Sequence, residues 1–273
     1  MSDWNHSSAA ELRIERLRLE GAREEVPDAV AREEPLEIRV EGRSVAVVMR
    51  TPGNDEDLAA GFLVSEGVIK SARDIFEISQ CPSTGNSAGN VVDVLLGGAA
   101  VNWDSLTRHV FSASSCGLCG KTSIESVFQH MPPITGGPRV AAALLAQLPT
   151  KLRQRQEAFS RTGGLHASAI FDTQANLLVI REDVGRHNAL DKILGHALRA
   201  DLLPFDQHIL LVSGRVSFEI IQKALAARIS VIAAISAPTT LAVEFARESG
   251  QTLVCFLRGD TMNIYSHPFR VTA

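Results

Sequence analysis

The sequence predicts an α/β protein: a three-layer αβα sandwich with a smaller, β-rich N-terminal subdomain. Three observations predict it. In the second half, apolar runs alternate with helical stretches, the pattern of a largely parallel sheet covered by helices. Within that pattern, Ile209-Leu210-Leu211-Val212 and Val231-Ile232-Ala233-Ala234-Ile235 are continuously apolar, as strands buried on both faces must be. In the first half, residues 36–40 and 45–49 alternate at the strand period about Glu41-Gly42-Arg43, a hairpin signal.

Taken in order, residues 1–34 are charge-rich and poor in large apolar side chains, and the first dozen are expected to be disordered. Residues 35–112 are expected to form the N-terminal subdomain and 113–273 the αβα domain. After the hairpin, Thr51-Pro52-Gly53-Asn54-Asp55 supplies a turn and a cap, and 57–65 has helical spacing with Gly67 as terminator. Strands are expected around 75–79, 91–96 and 109–112. The stretch 121–130 reads as an amphipathic helix, and 139–159 as a helix interrupted near Pro149. Beyond it, strands at 167–172, 177–181, 208–212, 231–235 and 253–257 are separated by helices at 187–200, 217–227 and 241–249.

Composition bounds the partners. Apolar residues make up 45% and charged residues 21% of 273, ordinary for a globular protein with ample core. The net charge of -4 argues against general nucleic-acid binding. The N-terminus lacks the apolar core of a signal peptide, and no apolar run approaches a bilayer span. With only four cysteines and no disulfide-framework pattern, the expected setting is the reducing cytoplasm, with no membrane and no nucleic-acid partner.

Two of those cysteines stand together in Ser114-Ser115-Cys116-Gly117-Leu118-Cys119-Gly120-Lys121. Small flanking residues permit a tight turn and the approach of a large reaction partner. A helix expected just beyond would favour a thiolate at its N-terminus. Three readings fit the pair: half of a structural zinc site, a thioredoxin-like redox pair, or a nucleophilic thiol that carries a group with a second thiol to assist. Spacing alone favours zinc slightly, but no second CxxC exists, and a site would have to recruit His166 or His187. Cys81 and Cys255 stand alone and are expected to be inert, Cys255 inside a buried strand.

In an open α/β sheet, ligands bind at the carboxyl ends of the strands. Each predicted strand there is followed by a small, polar, helix-capping segment: Glu182-Asp183-Val184-Gly185-Arg186-His187-Asn188, Ser213-Gly214-Arg215, Ser236-Ala237-Pro238-Thr239-Thr240 and Arg258-Gly259-Asp260-Thr261-Met262-Asn263. Any one is an ordinary cap. Several on one rim, three of them with an arginine, suit a phosphorylated or nucleotide-like ligand, although no Walker-type or G-x-G-x-x-G loop is present.

These segments, with Arg50 to Asp55, 58–63, the cysteine run and Arg161-Thr162-Gly163-Gly164-Leu165-His166-Ala167, closely resemble the formate dehydrogenase accessory sulfurtransferases, the FdhD family. The resemblance runs from about Glu37 onward. It implies a sandwich similar to the cytidine deaminase fold and a homodimeric sulfur carrier. It also implies that Cys116 accepts persulfide sulfur from a cysteine desulfurase, with Cys119 assisting its release. The sulfur passes to the molybdenum (or tungsten) bis-guanine dinucleotide cofactor destined for formate dehydrogenase. That cofactor is a client of the protein, with none permanently bound and no resident metal. By the same resemblance, Phe256, Leu257, Arg258, Gly259, Asp260, Thr261, Met262 and Asn263 line the cofactor site. Ser213, Gly214, Arg215 and Ser236 join them on the strand rim.

Two alternatives remain beside that reading: a zinc-dependent, deaminase-like hydrolase using Cys116, Cys119 and His166, and a non-catalytic cofactor-binding chaperone. Against the first, position 168 is Ser where a deaminase general acid/base Glu would stand. His187 is expected to cap its helix, and Asp183 to pair with Arg186. Arg228-Ile229-Ser230 departs from the family, in which a Gly-x-Pro turn is usual, as does Cys255, where a small residue such as Gly is usual.

Overall fold

The computed structural model describes residues 8–19, 21, 23–81, 89–98, 103 and 131–273. The expected strand at 109–112 and helix at 121–130 lie outside them. Within the charged segment expected to begin without regular structure, β1 (Ala9–Leu17) and β2 (Arg23–Ala31) form an antiparallel hairpin, Ala9 opposite Ala31 and Leu17 opposite Arg23. Most of the β1 side chains are exposed on both faces, so the sequence carries no burial alternation to betray the strand.

The predicted hairpin follows. β3 (Glu34–Val40) and β4 (Arg43–Arg50) are joined by Glu41 and Gly42, with φ of 51° and 75°. Two positive φ values make the tight turn whose twist matches the strands. β5 (Ile75–Gln80) and β6 (Val91–Leu96) complete a sheet of order β4-β3-β6-β5, in which only β3 and β6 are parallel. Helix α1 (Asp55–Ser65) covers it, burying Leu58, Ala59 and Leu63 against Leu36, Ile38 and Val92. Nine of its residues are buried, because its opposite side is covered too.

The expected helix over 139–159 is instead the short strand β7 (Val140–Ala141) and three helical pieces, α2 (Ala142–Leu145), α3 (Leu148–Arg155) and α4 (Glu157–Thr162). Pro149 sits in the first turn of α3, where a missing N–H costs nothing. The breaks therefore fall before and after α3. Then come β8 (His166–Phe171), β9 (Leu177–Asp183), α5 (Arg186–Arg199), β10 (Ile209–Val212), α6 (Phe218–Ala226), β11 (Val231–Ala234), α7 (Thr240–Glu248), β12 (Thr252–Arg258), β13 (Thr261–Ser266) and β14 (Val271–Thr272).

The main sheet has the order β13-β12-β11-β10-β8-β9. It is mixed, where a largely parallel sheet was expected: only β10–β11 and β11–β12 are parallel. Two hairpins impose the difference, because a tight turn can join only antiparallel strands. Asp172 holds the β8–β9 turn by accepting from the N–H groups of Gln174 and Asn176 at 2.9 and 2.8 Å. Gly259, at φ 57°, turns β12 into β13. The pleat divides the buried strands cleanly. Ile170, Leu210, Ile232 and Leu253 face α5, α6 and α7, whereas Ala169, Leu211, Ala233 and Val254 face α2 and α3. Three layers result.

At the amino ends of β11 and β12, two arginines fasten the stretch before β7. Arg228 Nη1 donates to the Pro132 carbonyl at 2.6 Å. Arg270, 1% exposed, donates to the carbonyls of Gly136 and Gly250 at 2.7 and 2.9 Å and has only neutral acceptors. Arg228 adopts φ 61° just past α6, the left-handed conformation glycine usually takes there.

Candidate functional site

Strands β9, β10, β11 and β12 run in one direction, so their carboxyl ends lie along one edge of the sheet. The amino ends of antiparallel β8 and β13 reach the same edge. This rim brings together most of the segments singled out above. Ser213 is stitched to β8: its N–H donates to the Ala167 carbonyl and its Oγ accepts from the Ala167 N–H, both at 2.9 Å. Val216 N–H donates to the Ala237 carbonyl at 3.0 Å, and Thr239 N–H to the Val216 carbonyl at 2.9 Å. Phe256 N–H donates to the Ser236 carbonyl and Arg258 Nε to the Ile235 carbonyl, each at 3.1 Å. Residues 213–216, 236–239 and 256–258 thus lie side by side.

The region 256–263 forms a hairpin in place of a post-strand loop. Phe256, with φ 52°, stands in a bulge where the register shifts between Cys255 and Arg258. Bulges of this kind re-aim side chains at the edge of a sheet. Phe256 is half-buried, and the exposed Arg258 guanidinium lies 5.5 Å from its ring. Asp260 is exposed at the tip, and Thr261 and Asn263 are exposed on β13. The Leu257 side chain is fully buried, and Met262 packs beside it in the core, so the Leu257 side chain is withheld from the rim surface. Cys116 and Cys119 lie outside the described residues.

Next to these segments, His166 opens β8 opposite Asp183. A Cβ on Gly214 would stand 3.0 Å from His166 Nδ1, tighter than most real contacts, so the turn packs closely on the imidazole. Burial pushes the His166 pKa down, and the positive charges of Arg186, His187 and Arg215 add to it, with Asp183 opposing. Three positively charged side chains thus bear on His166 at this edge.

Two expected roles differ. Asp183, fully buried, does not pair with Arg186. It accepts from Lys192 Nζ at 2.7 Å, Thr51 N–H at 3.1 Å and Gly185 N–H at 2.8 Å, locking the Arg50–Asp55 turn to the start of α5. His187 does not cap its own helix. Its Nε2 lies 2.9 Å from both Ser217 Oγ and Glu219 Oε2 on the first turn of α6. That the predicted helix at 217–227 would lie beside α5 is not encoded in sequence spacing. Beyond β9, a cavity of about 330 Å³ is lined by Thr51, Asn54, Arg161, Arg181, Glu182 and Lys192. Cys255 is fully buried, which pushes its thiol up to about 12, as expected of an inert packing residue. No helix among the described residues is long and apolar enough to cross a membrane.

Known proteins are similar to this chain in sequence and in fold. The family model described as FdhD/NarQ matches residues 31–272. A sulfur carrier protein FdhD from Streptomyces avermitilis is 49% identical over 270 residues, covering 95% of this chain and 94% of that protein. The Mycobacterium tuberculosis protein of the same name is 49% identical over 255 residues, 90% of this chain and 92% of its own. One from Sulfolobus acidocaldarius is 43% identical over 253 residues, 92% of this chain and 94% of its own. The crystal structure of a formate dehydrogenase accessory protein from Desulfotalea psychrophila superposes with a TM-score of 0.77 at 24% identity. That match covers 97% of this chain and all of the other, and it shows a common fold. Near-half identity along almost the whole length, together with the family match from residue 31 to residue 272, establishes that the chain belongs to the FdhD/NarQ family.

Proposed function

We propose that this chain is a sulfur carrier that accepts persulfide sulfur on Cys116 and transfers it to the molybdenum (or tungsten) bis-guanine dinucleotide cofactor of formate dehydrogenase. The observation that carries the reading is the 49% identity, over 95% of the chain, to a relative named as a sulfur carrier protein. The cysteine pair supplies the chemistry, and the arginines along the rim suit the phosphates of a guanine dinucleotide. The layered arrangement is read as a cytidine deaminase-like sandwich. The working form is read as a cytoplasmic homodimer, where thiols stay reduced.

In the loading step, the Cys116 thiolate attacks the outer sulfur of the donor desulfurase's persulfide. The donor S–S bond breaks, the donor cysteine leaves as a thiolate, and Cys116 carries the sulfur as Cys–S–S⁻. In the release step, the Cys119 thiolate attacks Cys116 Sγ, forming a Cys116–Cys119 disulfide as the outer sulfur leaves as sulfide to the metal. Two thiols are oxidised as one sulfur is reduced, so the electrons balance. A cellular dithiol then reduces the disulfide for the next cycle. The rim residues hold the guanine nucleotide ends: Arg215 and Arg258 through phosphate, and Ser213, Ser236 and Asp260 through hydrogen bonds.

Intact-protein mass spectrometry after incubation with a cysteine desulfurase and cysteine tests the reading. The wild type should gain one sulfur mass that reductant removes, and Cys116→Ala should gain none. A wild type that stays unmodified and carries stoichiometric zinc would replace sulfur transfer with the metal-site reading. Formate dehydrogenase maturation that survives loss of both cysteines would leave only a cofactor-binding chaperone.

A further inference from the structure

The N-terminal hairpin has one closed edge and one open edge. The Arg32 N–H donates to the Ser8 carbonyl at 3.0 Å, and from there the register runs from Ala9 opposite Ala31 to Leu17 opposite Arg23 without a shift. Backbone groups in an antiparallel ladder alternate between facing the paired strand and facing away. The odd-numbered residues of both strands therefore turn their main-chain groups outward. On β2 that edge is blocked: Pro27 has no N–H to offer, and the Ala29 N–H donates to Asp28 Oδ1 at 3.1 Å. On β1 nothing blocks it. Among the described residues β1 pairs only with β2, and Glu11, Arg13, Glu15 and Leu17 lie in a stretch with no proline and no bulge.

A two-stranded hairpin standing alone is marginally stable in water, and an unbroken edge is a template for a further strand. The charges of β1 select that strand. Glu11, Arg13 and Glu15 alternate in sign on one exposed face, and a second, antiparallel β1 can meet them in three two-fold registers. An axis at Arg13 sets Arg13 against the partner's Arg13 and Glu11 against the partner's Glu15, and like charges directly opposite are destabilising. An axis at Leu12 needs pairing at Ala9, which is 5% exposed and so already covered. An axis at Ile14 uses only residues 11–17. It sets Arg13 against the partner's Glu15, twice by symmetry, and Ile14 against the partner's Ile14. Opposite charges and apolar side chains then meet their complements.

We infer that the outer edge of β1 docks a second copy of this chain, the two β1 strands pairing antiparallel about a two-fold axis at Ile14. Two hairpins then share one four-stranded sheet, joined by the self-complementary contact that a two-fold axis requires. The inference rests on the homodimer proposed above and supplies its contact.

Analytical ultracentrifugation of the full chain tests it, for wild type, Arg13→Pro and Ile14→Cys. The Arg13 N–H points away from β2, so Arg13→Pro should close the outer edge without removing a hairpin bond, and the dimer should be lost. Directly opposed residues of a non-hydrogen-bonded pair have Cα atoms about 4.5 Å apart, so Ile14→Cys should form a disulfide between the two substituted positions. Peptide mapping reads it. Leu12→Cys should form none, because the two copies of position 12 lie four residues out of register. If Arg13→Pro melts like wild type and stays dimeric, or if dimeric Ile14→Cys gives no such disulfide, the surface is overturned and the homodimer reading stands. A wild type that is monomeric at every concentration would overturn both. Amides 11–17 that become protected from hydrogen exchange only on adding a cysteine desulfurase would overturn the inference and assign the edge to that protein. Should Arg13→Pro fail to fold, the Ile14→Cys disulfide decides.

Discussion

Gly61 and Gly195 meet backbone to backbone where α1 crosses α5. A Cβ on Gly61 would overlap the Asp191 carbonyl oxygen, and one on Gly195 would overlap the Asp57 carbonyl oxygen. The obstacles are main-chain atoms, so no rotamer change makes room. One helix covers the N-terminal sheet and the other the rim-bearing sheet, so this crossing sets how closely the two cores approach.

Gly61→Ala and Gly195→Ala should each destabilise the protein by about 1–3 kcal/mol, the usual penalty for overpacking, or more. Urea denaturation of the two variants measures it. A midpoint equal to wild type would mean the helices do not cross this closely.

Behind that crossing, Lys223 Nζ donates to both oxygens of Asp191 at 2.8 Å, and Ser65 Oγ joins them from α1. Burial raises the Asp191 pKa, opposed by the Lys223 charge. Lys223→Met strands a buried carboxylate and should destabilise by about 3–5 kcal/mol, whereas Asp191→Leu/Lys223→Met should recover much of the loss. A double-mutant cycle by denaturation checks this; simple additivity would contradict a coupled pair.

Stability should fall in two pH windows. His166, His196 and His208 all have lowered pKa values, burial being the largest cause in each. Below the ordinary imidazole value the unfolded chain binds protons that the folded chain resists, so stability drops as pH falls through about 6.5. Glu37, held down by its hydrogen bond from Arg39, and Asp74, by the N–H groups of Lys70 and Ser71, act lower. Their contribution is present above the ordinary carboxylate range and is lost on acidification through the folded values. Melting temperature followed from about pH 7.5 to about pH 2 should decline in both windows. A flat profile above about pH 5 would contradict the buried imidazoles.

Thiol labelling should separate the cysteines. With its thiol pushed up to about 12, Cys255 should resist alkylation in the native protein at neutral pH and react once denatured. Peptide mapping after a native iodoacetamide pulse reads this directly. Native labelling at Cys255 would mean its strand opens.

Much of this fold is legible in the sequence, for identifiable reasons. Ile209–Val212 and Val231–Ala234 announce themselves because burial on both faces leaves no polar position. The β3–β4 hairpin shows through alternation about Glu41-Gly42. Strand direction does not show, because an apolar run reads the same either way, and the mixed sheet emerged only from the turns at Asp172 and Gly259. β13 was hidden because an exposed edge strand such as Thr261–Ser266 mixes polar and apolar residues. At the site, the capping segments gave the rim away. Thr51, which binds Asp183, and Ser217, which binds His187, lie 132 and 30 residues from them, and no local spacing encodes those contacts.

Arg270 gives one corner of the molecule an unusual chemical indifference. Its acceptors are carbonyl and hydroxyl dipoles, which do not titrate in acid and are not dissociated by added electrolyte as exposed ion pairs are. Acid that neutralises Asp191 would loosen the joint between α1 and α5 while this fastening stays made. The helix crossing and the Gly136 corner therefore answer differently to the same solvent, the first adjustable and the second insensitive.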